Sequence, residues 1–157
     1  MRLELNGWNL GLNFSACHFL TEHEKCSRLH GHNYGVHLAL EGDIGENGMV
    51  YDFVELKKAV KKVMDELDHK VMLPGNSKNI QLEIGEKNVV ARYADKEYSL
   101  PLEDVVILDL KAVSAEMLAE FFLARLLTFV NFPPNVHAFE IMIDEGIGQG
   151  ARACRKL

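Results

Sequence analysis

The sequence predicts an α+β fold, in which two helices cover one face of an antiparallel sheet. Several stretches alternate apolar and polar residues, as strands with one buried face do. Two other stretches repeat apolar residues every three or four positions, which is the pattern of amphipathic helices. Because both patterns occur in one chain of moderate length, we expect a sheet layer and a helix layer around one core.

Length and charge limit the classes of protein that need to be considered. The chain has 157 residues, of which 48% are apolar and 25% charged. This length suggests a single domain, residues 1–157, and is enough to bury a substantial core. The formal net charge is −6, so no basic balance argues for a nucleic-acid partner. No stretch approaches the roughly 18 uninterrupted apolar residues of a membrane helix, so we expect no membrane partner.

The cysteines and the N-terminus indicate the cellular compartment in which the protein is expected. The three cysteines, Cys17, Cys26 and Cys154, show no framework spacing, which argues against a disulfide scaffold and favours a reducing environment. The first six residues contain no apolar run of the kind that a signal peptide needs. We therefore expect a cytoplasmic protein.

The first two predicted strands cover residues 9–19 and 30–41, and a polar loop, residues 20–29, connects them. One face of the first strand carries Leu10, Leu12, Phe14, Ala16 and His18. One face of the second strand carries His30, His32, Tyr34, Val36, Leu38 and Leu40. After a connection over residues 42–48, a short strand is predicted over residues 49–51.

Two helices are predicted from their N-cap residues and from the spacing of their apolar residues. Asp52 is a good N-cap, and Glu55 three residues later completes a pattern similar to a capping box. The apolar residues of this first helix are Phe53, Leu56, Val60, Val63 and Leu67. Ser114 caps the second helix, which runs to about Val130. Pro133 and Pro134 then stop the chain before the last strand.

The remaining elements are a hairpin and two strands. Residues 80–100 alternate weakly around the turn-like segment 85–88, which predicts an inserted hairpin. A further strand is predicted over residues 104–110, and the last one over residues 136–144. Phe139, Ile141 and Ile143 share a face of the last strand, and Glu145 has the same parity.

Three histidines form the clearest candidate metal site. His30 and His32 are two residues apart on one strand, so both imidazoles point the same way. His18 ends the neighbouring strand on its apolar face. Three neutral imidazoles leave the fourth position of a tetrahedral zinc open, as in catalytic sites. Ligand type alone also admits iron or copper, and each histidine taken singly could be an ordinary core or surface residue.

Two further motifs carry groups that can move protons. Cys26 lies in the polar loop four residues before His30, where a thiolate could act as a base or nucleophile. Asp68 and His69 follow the first helix, and a carboxylate can orient a neighbouring imidazole for proton transfer. The alternatives are an incidental free cysteine and a histidine that is favourable at the negative end of the helix dipole.

Glu145 is a candidate for ligand recognition. It lies at the end of an apolar strand, before a glycine-rich segment that no helix follows. A carboxylate in such a place can accept two parallel hydrogen bonds from a guanidine-like edge. The alternative is an ordinary acidic residue in a turn.

Together these motifs resemble the 6-pyruvoyl-tetrahydropterin synthase / 6-carboxytetrahydropterin synthase family. Their order and spacing agree with the family over nearly the whole chain. The matching pieces are Phe14-Ser-Ala-Cys-His18, Cys26-Ser-Arg-Leu-His30-Gly-His32-Asn-Tyr34, Tyr51-Asp-Phe53, Leu67-Asp-His69, Ser114-Ala-Glu116 and Glu145.

The resemblance implies a tunnelling fold with four main antiparallel strands and two helices. Such subunits assemble into trimers that stack into hexamers, with active sites at subunit interfaces. By the same resemblance His18, His30 and His32 bind zinc, Cys26 is the base, and Asp68 with His69 is a second proton-transfer pair. The residues that it assigns to pterin binding are Ser114, Glu116 and Glu145.

The resemblance also implies a reaction on 7,8-dihydroneopterin triphosphate. One branch of the family loses acetaldehyde and triphosphate and gives 6-carboxy-5,6,7,8-tetrahydropterin, a precursor of the deazaguanine bases queuosine and archaeosine. The other loses triphosphate alone and gives 6-pyruvoyl-tetrahydropterin. The spacing of Cys26 and His30 looks more like these two branches than like the folate-bypass branch of the family, which cleaves dihydroneopterin compounds. The lack of an animal-type N-terminal extension favours the first of the two. A non-catalytic oligomer that binds zinc and pterin is the alternative from another class.

Overall fold

The computed structural model describes residues 1–157, which form a seven-stranded mixed sheet, a separate three-stranded sheet and two long helices. In chain order the first elements are β1 (Arg2–Leu5), α1 (Gly7–Leu10), β2 (Asn13–His18), β3 (His30–Gly42), α2 (Phe53–Leu67) and β4 (Lys70–Pro74). They are followed by β5 (Gln81–Ile84), β6 (Asn88–Tyr93), β7 (Lys96–Pro101), β8 (Val105–Leu108), α3 (Ala115–Phe129), β9 (Val136–Glu145) and β10 (Gly150–Lys156).

The main sheet brings distant motifs side by side. Its strand order is β10-β9-β3-β2-β4-β8, with β1 also paired to β3. Strands β2 and β3 are antiparallel, and His18 stands opposite His30. Strand β9 pairs with the other edge of β3, where Glu145 stands opposite Tyr34. The ends of three strands therefore meet in one region of the sheet.

Both long helices lie on the same face of this sheet. The Asp52 carboxylate accepts the N–H of Val54 at 2.7 Å and caps α2. The Ser114 hydroxyl accepts the N–H of Met117 at 3.4 Å and caps α3. The buried side chains of both helices join those of β2, β3 and β9 in one core of 30 residues. No helix has the length and apolar composition that crossing a membrane requires.

Phe122 is a direct test of this helix–sheet core. Its side chain is fully buried on α3 and stacks on Phe14 of β2, with ring centroids 5.7 Å apart. Phe122→Ala is expected to lower the free energy of unfolding by about 3–5 kcal/mol, because the change leaves a cavity in a packed core. Phe129→Ala is the matched control, since Phe129 is 43% exposed on the same helix. Urea denaturation measures the free energy of unfolding of both variants. An equal decrease in the two would contradict this packing.

The predicted fold class is confirmed, while several elements differ in detail. The main sheet is mixed, because β4 runs parallel to both β2 and β8, and it has seven strands where four were expected. The predicted hairpin has a third strand, β7, and is a small sheet of its own. Residues 49–51 form no strand. Strand β2 begins at Asn13, because residues before it form the short helix α1, which ends at Gly11 with φ +67°.

Candidate active site

The three histidines of the predicted metal site converge on the face of the sheet that the helices cover. His18 and His30 are opposite each other across β2 and β3, and His32 is two residues further along β3. Their ring centroids are 4.6–5.2 Å apart in all three pairs. One ring nitrogen from each lies within 4.8 Å of the other two. The cluster can therefore present three nitrogens to a single ion.

Backbone carbonyls orient two of these rings. Nδ1 of His18 is 2.6 Å from the carbonyl oxygen of Val113, just before α3. Nδ1 of His30 is 2.7 Å from the carbonyl oxygen of Arg28. Because a carbonyl only accepts, each Nδ1 carries the proton, and each Nε2 keeps a free lone pair. This second contact is the usual support of a metal-bound histidine.

Burial favours the neutral form of two of the three histidines, His18 and His32. Burial, with smaller contributions from His30 and His32, lowers the pKa of His18 to about 4. Burial and the neighbouring His30 also lower the pKa of His32. Neutral imidazole is the form that binds metal. The side chain of His18 is fully buried, and its Nε2 has no hydrogen-bond partner. Such an orphaned acceptor between two other imidazoles fits a bound cation.

A carboxylate and a phenol complete the recess beside the histidines. Oε1 of Glu145 is 3.9 Å from Nε2 of His18, and it is buried without a hydrogen-bond partner. The hydroxyl of Tyr34 is likewise buried and unpaired. The Tyr34 ring lies 6.0 Å from that of His18 and 5.6 Å from that of His32. Buried polar atoms normally have partners, so three orphaned ones in one recess indicate a ligand-binding site.

Burial is the main electrostatic influence on Glu145. It raises the pKa of Glu145, His30 opposes it and lowers the pKa, and the negative charge of Glu116, the smallest of the three effects, raises it again. Glu116 lies in the first turn of α3 and hydrogen-bonds its own backbone and the capping Ser114, which lowers its pKa. A ligand with N–H donors or positive charge would therefore be favoured beside Glu145.

Cys26 lies in the connection between β2 and β3. This connection begins after His18 and ends before His30. These two residues face each other across β2 and β3, so the two ends of the loop lie side by side at the histidine cluster. Cys26 is half-buried, its N–H donates to Nδ1 of His23 at 3.2 Å, and its carbonyl accepts the N–H of Leu20 at 2.8 Å. The structure thus places the thiol on a loop whose two ends are joined to histidines of the cluster.

Asp68 and His69 form a pair at another edge of β2. Oδ2 of Asp68 is 3.0 Å from Nδ1 of His69, while Oδ1 accepts the N–H of Ser15 at 2.9 Å. The bond to Ser15 is the main cause of the lowered pKa of Asp68, followed by that to His69. His69 has φ +60°, a conformation that is uncommon outside glycine and often marks functional residues.

Within one chain this pair makes no hydrogen bond to the rest of the site. The His69 side chain is 81% exposed. It borders an open cavity of about 660 Å³ that His32 of the cluster, Cys17, Asn33 and Lys70 also line. Cys17 and Asn33 belong to the alternate positions of β2 and β3, which face away from the helices. Neither Asp68 nor His69 hydrogen-bonds Cys26, Glu145 or the three histidines; their partners are each other, Ser15 and, for the backbone N–H of Asp68, Met64.

Sequence reasoning placed Tyr34 on the same face as His30 and His32 but assigned it no function. Its parity was the available signal, because a polar aromatic two residues beyond His32 must point into the same recess. Burial raises its pKa well above the usual range, with Glu145 and then Cys17 contributing. A neutral Tyr34 hydroxyl can donate a hydrogen bond to a ligand.

Comparison with known proteins identifies the class to which this fold and site belong. Residues 10–154 match the family model described as 6-pyruvoyl tetrahydropterin synthase. The chain is 43% identical over 155 residues to a Methanocaldococcus jannaschii protein provisionally named 6-carboxy-5,6,7,8-tetrahydropterin synthase, with coverage of 96% of this chain and 94% of that protein. A Pyrococcus horikoshii protein with the same provisional name is 37% identical over 134 residues, which are 84% of this chain and 79% of that protein.

Solved structures agree with the sequence relatives. A catalytic-residue mutant of Plasmodium vivax 6-pyruvoyltetrahydropterin synthase superposes with a TM-score of 0.93 at 31% identity, covering 100% of this chain and 98% of that one. The chain therefore belongs to the 6-pyruvoyl tetrahydropterin synthase family and has its tunnelling fold. It is an enzyme of the pterin synthase type.

Proposed function

We propose that this enzyme converts 7,8-dihydroneopterin triphosphate to 6-carboxy-5,6,7,8-tetrahydropterin in the cytoplasm, with loss of acetaldehyde and triphosphate, and that it uses zinc. The observation that carries the proposal is the pair of buried, unpartnered atoms Nε2 of His18 and Oε1 of Glu145. These two buried atoms are 3.9 Å apart, and neither has a hydrogen-bond partner. Nε2 of His18 suits a metal and the Glu145 carboxylate suits a ring rich in N–H donors, so a metal held by the histidines and a pterin held by Glu145 would lie next to each other.

The donor set supports zinc as the metal. His18, His30 and His32 supply three imidazole nitrogens and no thiolate, which matches a catalytic zinc site with one open position. When bound, zinc would acidify the side-chain hydroxyls of the substrate and polarise its carbonyl group. The carbonyl oxygens of Val113 and Arg28 would hold the rings of His18 and His30 in place for this role.

Glu145 would recognise the pterin ring. A pterin presents an amine and a ring N–H side by side, and a carboxylate accepts both through parallel hydrogen bonds. Because the unpaired Oε1 of Glu145 is already buried, it loses little further solvation when the ring binds. The same contact would direct the substrate side chain towards the histidines.

Cys26, Asp68 and His69 would move protons between the ring and the side chain of the substrate. The Asp68 carboxylate holds Nδ1 of His69 at 3.0 Å, so Nε2 of His69 is free to exchange a proton. Since His69 is 81% exposed in a single chain, we infer that it completes the site of a neighbouring subunit. This inference favours a homo-oligomer, a trimer or a hexamer, with interface active sites.

A second candidate is the formation of 6-pyruvoyl-tetrahydropterin with loss of triphosphate alone. The family description and the P. vivax structure carry this name. The higher identity of 43% to the M. jannaschii relative, against 31% to the P. vivax protein, favours the carboxy product.

A product assay separates these reactions. The zinc-loaded protein is incubated anaerobically with dihydroneopterin triphosphate, aldehydes are trapped, and the products are identified by mass spectrometry. Carboxy-tetrahydropterin with acetaldehyde is the expected result. Pyruvoyl-tetrahydropterin without aldehyde would support the second candidate. No turnover by a zinc-replete oligomer would favour a pterin-binding protein without this activity.

Glu145→Gln tests ring recognition. The amide keeps the shape of the side chain but opposes one N–H of the ring with its own N–H group. We expect the KM for the pterin to rise about 10- to 100-fold, because a charge-assisted hydrogen bond is lost and a donor is left unpaired. Zinc content should not change. Glu140→Gln, on the opposite face of the same strand, is the control; an equal KM for both variants would contradict the role of Glu145.

A further inference from the structure

The loop that carries Cys26, residues 19–29, contains no helix or strand. Four backbone hydrogen bonds fold it on itself. In the two shortest, the N–H of Leu20 donates to the carbonyl oxygen of Cys26 and that of Ser27 to the carbonyl oxygen of His23, each at 2.8 Å. These bonds set the local shape of the loop but do not fix it to the rest of the protein. A loop that carries a proton-transfer group needs such fixing, because catalysis depends on its position to within a fraction of an ångström.

The inserted sheet, β5–β7, packs against the beginning of this loop. The insert shares a second hydrophobic cluster with Phe19, Leu73 of β4 and the partly buried residues of β8. Phe19 is 2% exposed. Its ring centroid is 5.3 Å from that of Tyr98 and 6.5 Å from that of Tyr93. The residue directly after His18 is therefore buried under the insert.

Polar contacts attach the next residues of the loop. The hydroxyl of Tyr93 donates to the carbonyl oxygen of Thr21 at 2.7 Å. The side-chain amide of Asn79, just before β5, donates to the hydroxyl of Thr21 at 3.2 Å and also to the carboxylate of Glu22. The first half of the loop is thus held by three hydrogen bonds from the insert and the segment leading into it.

Lys96 holds the other side of Cys26. Its ammonium group donates to the carbonyl oxygen of Ser27 at 3.0 Å and to the hydroxyl of Ser27 at 3.4 Å. Ser27 is 9% exposed and directly follows Cys26. The same ammonium lies 5.8 Å from the centre of the Tyr93 ring, so the two residues support each other. Cys26 lies between the two attached parts of the loop.

We propose that the inserted sheet positions Cys26, and that Tyr93 and Lys96 are the positioning residues that hold its loop from both sides. The proposal deepens the proposed function and rests on it for the role of Cys26. Asn79 and the packing of Phe19 add to the attachment, but Tyr93 and Lys96 provide the contacts that a single conservative substitution can remove. The insert thereby acquires a role in catalysis without touching the substrate.

The test removes these two contacts and leaves the insert folded. The variant Tyr93→Phe/Lys96→Met keeps the ring and the aliphatic stem, whereas the hydroxyl and the ammonium are lost. The control Tyr98→Phe/Lys87→Met makes the same chemical changes in the same insert. Tyr98 contacts Phe19 through its ring, and Lys87 is exposed. Hydrogen–deuterium exchange of the full-length, zinc-loaded proteins, resolved by peptide, measures the stability of residues 19–29.

We expect exchange in residues 19–29 to be about 10- to 100-fold faster in the variant, because the neutral hydrogen bond of Tyr93 and the two charge-assisted hydrogen bonds of Lys96 are lost. The kcat should fall about tenfold with KM changed less than about twofold. In the control, loop exchange, kcat and KM should all equal those of the wild type. Loop exchange equal to that of the control would overturn the proposal, as would faster exchange spread evenly over the whole chain.

The exchange readout does not depend on the reaction. If the wild-type protein shows no turnover of dihydroneopterin triphosphate, the proposed function fails, while the exchange data still decide whether the insert holds the loop. If turnover is normal and faster loop exchange leaves kcat unchanged, the insert holds the loop but does not position Cys26 for catalysis, and the proposal is overturned.

Discussion

His32→Ala is expected to abolish turnover by removing the metal. His32 supplies one of three nitrogens in the cluster and is only half-buried, so replacing its side chain should leave the fold intact. Four-ligand zinc sites bind with about 10–16 kcal/mol, so the loss of one ligand should weaken zinc binding about 10²- to 10³-fold. Turnover should fall in proportion to the zinc that is lost. Metal analysis after dialysis and a competition titration with a chromophoric chelator measure the effect.

His137→Ala is the matched control for this experiment. His137 lies on β9, and Nε2 pairs with Asp43 at 2.9 Å on the exposed surface. The control should retain zinc and activity. If His32→Ala bound zinc as tightly as the wild type, the histidine cluster would not be the metal site.

Cys26→Ala is expected to lower kcat about 10²- to 10⁴-fold, which is the usual range for a positioned acid or base. Zinc content should remain that of the wild type, because the three histidines and their carbonyl partners are unchanged. KM should also change little, since ring recognition rests on Glu145. Single-turnover kinetics with zinc-loaded protein separate the chemical step from binding.

Cys154→Ala is the corresponding control, because Cys154 is an exposed free cysteine on β10. It should retain full activity. Unchanged turnover in Cys26→Ala would exclude this thiol as the base and move attention to the Asp68–His69 pair. Equal losses in both cysteine variants would indicate a general effect on the protein.

The centre of the fold and the histidine cluster could be predicted because local patterns determine them. The alternation of β2 and β3 fixes which residues share a face, and that face carries His18, His30 and His32. The caps Asp52 and Ser114 begin their helices as expected, since their side chains accept the orphaned N–H groups of the first turn.

Other strands carry too weak a local signal. The buried side of β10 offers only Ala151 and Ala153, which alternate too faintly to mark a strand. Strand β4 follows α2 almost directly and pairs in parallel with β2, a contact that only tertiary structure creates. The turn between β6 and β7 contains Ala94 with φ +51°, where glycine or asparagine would have been the recognisable residue. The third strand of the insert was missed for that reason.

The remaining features of the site depend on contacts between distant segments. The position of the Asp68 carboxylate is fixed by the backbone N–H of Ser15, which lies 53 residues earlier. The significance of Tyr34 rests on a buried hydroxyl without a partner, which no sequence pattern reveals. The attachment of the Cys26 loop by the insert likewise joins residues about 70 positions apart.

Anomalous diffraction at the zinc edge tests the central claim most directly. Crystals would be grown from protein loaded with zinc and with dihydrobiopterin, a pterin that lacks the triphosphate. We predict one anomalous peak per chain, bound by Nε2 of His18, Nε2 of His30 and a ring nitrogen of His32. The amine and ring N–H of the pterin should pair with Glu145. A zinc peak at another place, or a pterin bound away from Glu145, would contradict the proposed site.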